Sequence, residues 1–156
     1  MTDIKTLKKE FWKTLSDSPF LFLQLDSDPH TAVPMTAQLD PDADGEIWFF
    51  TSKDQHFAKG GSATATFAGK DHDMFARFTG FLHREPGMER RKKMWSKSVE
   101  AWFPNGLDDP NLVMLRMELG SAEIWNSDLG FYDNAKQKLG FDIRDKAKKE
   151  HAETLL

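Results

Sequence analysis

The sequence predicts a mainly β fold, a barrel of antiparallel strands with flanking helices, on three observations. Apolar stretches are short and alternate with period two, as at Thr31, Val33, Met35, Ala37 and Leu39. Turn chemistry recurs between them, at Asp26-Ser27-Asp28-Pro29, over residues 40–45 and over residues 69–73. Helical spacing is strong only at the start of the chain and over residues 86–102. Many short strands and few helices favour closure, which removes the open edges such strands would otherwise present.

In chain order, Ile4, Leu7, Phe11, Trp12 and Leu15 predict an amphipathic helix, capped by Thr2 or Asp3 and ended by Asp17-Ser18-Pro19. Phe20-Leu21-Phe22-Leu23-Gln24-Leu25 and residues 31–39 form a hairpin, in which Pro34 donates no ladder bond and marks an edge, bulge or rim. Glu46-Ile47-Trp48-Phe49-Phe50-Thr51 is aromatic and β-branched enough for a third strand. Ser52 and Gln55 have capping-box spacing, predicting a short helix over residues 53–59 that Gly60-Gly61 stops. Residues 63–67 and 74–82 read as strands. Residues 86–102 read as one helix with Met88, Trp95, Val99 and Trp102 on its apolar side. Beyond Asp108-Asp109-Pro110, Val113, Leu115, Met117 and Leu119 define the buried face of a strand, and residues 121–126 a further one. The fold domain is expected over residues 1–126, with 127–156 a charged, partly helical extension.

Composition narrows the function. The 156 residues carry 21 Lys and Arg against 25 Asp and Glu, a net charge of −4, so no bulk positive field draws in nucleic acid. Cysteine is absent, which removes disulfides, thiolate nucleophiles and thiolate metal sites and suits a reducing, cytoplasmic setting. The charged start lacks a signal peptide's apolar stretch, and no run reaches the roughly 18 residues of a membrane span. Neither export nor membrane insertion is expected.

The five histidines are scattered, and only His72 sits beside carboxylates, at Asp71 and Asp73. Neighbouring turn side chains point apart, so a solvated turn is the expected reading and no metal site is assigned. The run Glu89-Arg90-Arg91-Lys92-Lys93 reads as an outer helix face whose long stems cover apolar surface. No dinucleotide, phosphate-loop, zinc-protease or nucleophile-elbow pattern occurs. No catalytic residue can be named.

Three segments in order carry a resemblance: Pro34-Met35-Thr36-Ala37-Gln38, Trp48-Phe49-Phe50-Thr51-Ser52, and Ala101-Trp102-Phe103-Pro104-Asn105-Gly106 with Asp108-Asp109-Pro110. With Glu123-Ile124-Trp125-Asn126 following, the chain resembles the general stress protein 26 family, within the pyridoxamine 5'-phosphate oxidase-like, FMN-binding split barrels. The resemblance implies a split barrel, a homodimer and FMN in a groove between subunits. It places Val33, Pro34, Met35 and Thr36 beside the flavin ring and Phe50, Thr51 and Ser52 near the ribityl chain and phosphate. Lys53, His56 and Lys59 are its candidates around the phosphate, with Trp102 and Trp125 as partner-subunit contacts to the ring.

The sequence departs from the oxidases at Val33, where they carry Arg, and at His56-Phe57, where they carry an Arg-Lys pair. An Arg-x-His arrangement near the C-terminus is also missing, so pyridoxamine phosphate oxidase activity is not expected. Three readings remain. The first is an FMN-dependent redox protein acting on a small molecule. The second is a noncatalytic binder of flavin, haem or a deazaflavin, and the third a dimer with an empty groove.

Overall fold

The computed structural model describes residues 3–126 and 151–156. Helix α1 (Ile4–Asp17) begins at Asp3, whose carboxylate accepts from the Thr6 amide, and buries Leu7, Phe11 and Leu15. Strands β1 (Phe20–Leu25) and β2 (Asp28–Thr36) form the predicted hairpin, followed by β3 (Glu46–Ser52), β4 (Gly61–Ala68) and β5 (Met74–Arg84). Strand β6 (Leu112–Asn126) is longest, and β7 (His151–Leu155) ends the chain.

All pairs are antiparallel, in the order β2-β1-β4-β5-β6-β3. Just beyond β2, Gln38 exchanges two backbone hydrogen bonds with Trp48 of β3, at 2.8 and 3.0 Å. That exchange brings the two ends of the sheet together as a barrel, and Pro34 lies on β2 where only β1 is its ladder partner.

Inside sit Leu21, Leu23 and Leu25 of β1, Ala63, Ala65 and Phe67 of β4, and Phe78 of β5. Phe11 reaches them from α1, edge-on to Phe67 and Phe78 at 6.3 and 5.5 Å between ring centroids. Strand β5 can run beside β6 only through a register shift after Phe78. Gly80 makes it possible, since a Cβ there would lie 2.4 Å from the Glu118 carbonyl oxygen.

Several expectations are corrected. The predicted helix over residues 86–102 is two helices, α2 (Met88–Met94) and α3 (Lys97–Glu100), because the Ser96 hydroxyl caps the second at the Val99 amide. Its buried residues are Met94 and Val99, while Met88 and Trp102 are exposed. Residues 112–126 form one strand, not two. Its first half is buried on both faces, since Met114 packs with Trp48 and Met94 outside the barrel while Val113, Leu115 and Met117 face in.

Residues 53–55 are turn, and only a single 3₁₀ turn (His56–Lys59) replaces the helix expected after Ser52. Most of the charged tail, residues 127–150, lies outside the described residues. Its last residues are strand β7 rather than helix, paired to β6 at residues 121–125.

Candidate functional site

A groove of about 460 Å³ opens between the barrel and the α3 region. One wall is β2, presenting Val33, Pro34, Met35 and Thr36, with Gln38 beyond it. The second is the end of β3, with Phe50, Thr51 and Ser52, continued by Gln55 and Phe57. The third comes from the crossover between β5 and β6 and presents Ser98, Val99, Trp102 and Phe103. Segments far apart in sequence meet here because the Gln38–Trp48 pairing draws the end of β2 against β3.

Eight of the predicted site residues therefore converge: Val33, Pro34, Met35, Thr36, Phe50, Thr51, Ser52 and Trp102. Four do not line the groove. Lys53 and Lys59 are exposed, and the Lys53 amide donates to the Asn111 carbonyl at 2.8 Å. His56 is half-buried with Nε2 2.7 Å from the Thr31 hydroxyl. That hydroxyl also donates to the Asp28 carbonyl, so the imidazole is the donor between them and carries its proton on Nε2. Trp125 lies on β6 opposite Phe75, with the Arg77 guanidinium 5.9 Å from its ring centroid.

The capped helix start expected after Ser52 is corrected as well. The Ser52 hydroxyl donates to the Asp54 carboxylate, which lies below its usual pKa mainly through that bond. The amides of Lys53, Gln55 and Ala58 donate to protein carbonyls. Ser52 therefore caps no helix, and these three amides are not free for an anion. Sequence reasoning missed Gln38, Gln55, Phe57, Ser98, Val99 and Phe103. Phe103 and Gln38 lay inside recognised segments, and Gln55 was read only as the capping-box partner of Ser52.

The crossover wall is fixed from behind. Asp40, its side chain only 2% exposed, takes Lys93 at 2.8 Å and Arg90 at 2.5 Å from α2. Chiefly Lys93, then the Asp42 amide and Arg90, hold its pKa down to about 2. The Arg90 guanidinium also covers the Trp48 ring at 4.4 Å. Arg91 reaches the carbonyls of Leu107 and Leu112. The basic run is thus structural, and among the described residues no three His, Asp or Glu groups converge as a metal site.

An antiparallel barrel whose side groove is walled by β2, β3 and a helical crossover defines the split-barrel class. The chain belongs to the pyridoxamine 5'-phosphate oxidase-like family, whose model matches residues 6–143. It is similar to the general stress FMN/FAD binding protein of Xanthomonas citri at 38% identity and TM-score 0.74, over 80% of this chain and 91% of that one. A general stress family protein of Xanthomonas campestris pv. campestris is 39% identical, with TM-score 0.74, over 81% and 91% of the two chains. General stress protein 26 of Jannaschia sp. CCS1 is 27% identical with TM-score 0.80, over 99% of this chain and all of that one. No curated protein compared with the sequence matches it. Among the described residues, no helix is long and apolar enough to cross a membrane.

Proposed function

We propose that this protein binds a flavin, FMN rather than FAD, in the groove between β2, β3 and α3, and serves as a cytoplasmic homodimeric redox protein for a small molecule. The observation that carries the reading is the convergence of Val33–Thr36 and Phe50–Ser52 on one groove of about 460 Å³, within the usual range for a cofactor site. Similarity to a protein named for FMN/FAD binding supports it.

The lining fits the uncharged parts of a flavin. Val33, Met35 and Phe50 offer apolar surface to a ring system, while the Thr51 and Ser52 hydroxyls and the Gln38 and Gln55 carboxamides offer polar partners to its carbonyls and ribityl chain. The phosphate is served less well. It carries about −1.5 to −2 charge, and no cation lines this groove among the described residues. Lys53, next after Ser52, and the second copy of the chain are its sources of positive charge. When bound, the flavin supplies the electron and hydride chemistry. The protein's residues orient the ring, and the α3 wall keeps solvent from it.

A second reading, noncatalytic flavin binding, is favoured by one feature: among the described residues no titratable side chain lines the groove, so none of them stands ready there as a general acid or base.

Titration of the purified protein with FMN tests the proposal. Flavin fluorescence should be quenched, and the unfolding midpoint should rise, by about 2.7 kcal/mol of stabilisation at a hundredfold excess over Kd. Neither change with FMN or FAD would remove flavin binding. Sedimentation should give a dimer. Thr51, 6% exposed at the groove wall, should matter for affinity: Thr51→Val is expected to weaken FMN binding by about 1–3 kcal/mol. Unchanged affinity would move the ribityl and phosphate contacts away from Thr51. Electron transfer to acceptors faster than free flavin achieves would decide for the redox reading.

A further inference from the structure

The end of β3 that lines the groove runs straight into a turn that carries a carboxylate. Ser52 is a groove residue, and the Gln55 amide closes the turn on the Ser52 carbonyl at 3.1 Å. The Lys53 amide is held by the Asn111 carbonyl at 2.8 Å, which fixes the turn at a second point. Asp54 stands exposed within it, and its carboxylate accepts the Ser52 hydroxyl at 2.5 Å.

A hydroxyl has one proton to donate and two lone pairs that accept. Ser52 gives its proton to an anion of its own chain. A phosphate arriving at this hydroxyl has to displace the Asp54 carboxylate, and it meets a like charge beside the bond it makes. That carboxyl is ionised at neutral pH, held below its usual range first by the Ser52 bond and only last by Lys53. An uncharged polyol bears neither cost. Its hydroxyls can donate to the Ser52 oxygen while the Ser52–Asp54 bond stays in place.

We propose that Asp54 is a specificity-determining residue of the flavin site: it withholds the Ser52 hydroxyl from the flavin phosphate and sets a like charge beside it, so that riboflavin competes closely with FMN. The proposal rests on the flavin reading for the ligand, and adds how the groove weighs that ligand's phosphate.

The test is equilibrium titration of riboflavin and of FMN, followed by flavin fluorescence, on the unaltered protein, Asp54→Asn and Asp54→Ala. In the unaltered protein the two dissociation constants should lie within about tenfold of each other. Asp54→Asn removes the charge and should tighten FMN about tenfold while leaving riboflavin affinity unchanged. Asp54→Ala also frees the hydroxyl and should do at least as much; adding Ser52→Ala to it should take part of the gain away. Because Asp54 is exposed, its variants should keep the unfolding midpoint of the unaltered protein. A larger FMN preference in the unaltered protein overturns the proposal, as does a ratio that neither Asp54 variant moves. Equal tightening of both flavins, or a gain that survives Ser52→Ala in full, overturns it too, by removing the phosphate from the Ser52 hydroxyl. If the unaltered protein binds neither flavin, the flavin reading falls and this one with it; if it binds both and the ratio stays fixed in the variants, the flavin reading stands and only this one falls.

Discussion

The barrel interior and the crossover that covers Trp48 are held together by different forces. In the barrel, Leu23, Phe49, Phe78 and Ile124 are wholly buried among other apolar side chains, and cohesion comes from area removed from water. Over residues 88–111 the apolar contribution is smaller: Met94 against Trp48 and Met114, Trp95 edge-on to Phe50, and buried Val99. The rest is charge: Arg90 and Lys93 on Asp40, and Arg91 on two carbonyls. The barrel interior is thus apolar, while the segment presenting Ser98, Val99, Trp102 and Phe103 to the groove is attached in part through Asp40, a group that titrates. A family that keeps one barrel can vary its ligand by changing the attached segment.

That contrast can be broken most severely from the barrel side. Phe78→Ala removes a fully buried ring that contacts Phe11 of α1, and should cost about 3–5 kcal/mol, read as one cooperative transition in denaturant. A loss confined to the barrel amides, with the crossover amides still protected, would mean that the crossover is not the weaker unit. Met94→Ala sharpens the comparison. It truncates the α2 contact with Trp48 and Met114 and should cost about 2 kcal/mol, at the low end for such a change because the site lies at the rim of the structure. Hydrogen exchange should rise over residues 88–111 and stay slow in β4 and β5. Uniform acceleration across both regions would contradict two separable units.

The same division explains how much was legible in the sequence. Barrel strands announced themselves because burial repeats every second residue, as in Leu21, Leu23 and Leu25 or Ala63, Ala65 and Phe67. The groove walls on β2 and β3 could be named in advance for the same reason, aided by the resemblance of those segments to a known family. The crossover was misread because Met88, Trp95, Val99 and Trp102 keep helical spacing whether or not the helix continues. What breaks it is tertiary: Trp95 turns edge-on to Phe50 of β3 at 5.6 Å, and Ser96 restarts the next helix. The Ser52 capping box failed likewise, since Asn111, fifty-eight positions further on, takes the Lys53 amide. Strand β7 was hidden by its own charge. His151–Leu155 lacks the apolar content of a core strand and becomes one by completing the free edge of β6 beyond β3.

The gentlest way to separate the two regions is acid. Asp40 ionises near 3.8 in an unfolded chain and near 2 when folded, so its pairing stabilises the folded state fully above 3.8 and is lost as pH falls through about 2. Between these values the crossover should loosen, giving faster exchange over residues 88–111 and a change in the emission of Trp48 beneath Arg90, while barrel amides hold. Asp40→Asn retains an acceptor for the Asp42 amide but no charge for Lys93 and Arg90. The variant should therefore show the loosened crossover already at neutral pH, with little further change down to pH 2. Flavin titrations on it should show the consequence for the groove, because Trp102 and Ser98 follow α2 in the crossover. An acid response in Asp40→Asn as large as in the unaltered protein would assign the pH sensitivity to other carboxylates. It would leave the Asp40 cluster as an ornament of α2 rather than its anchor.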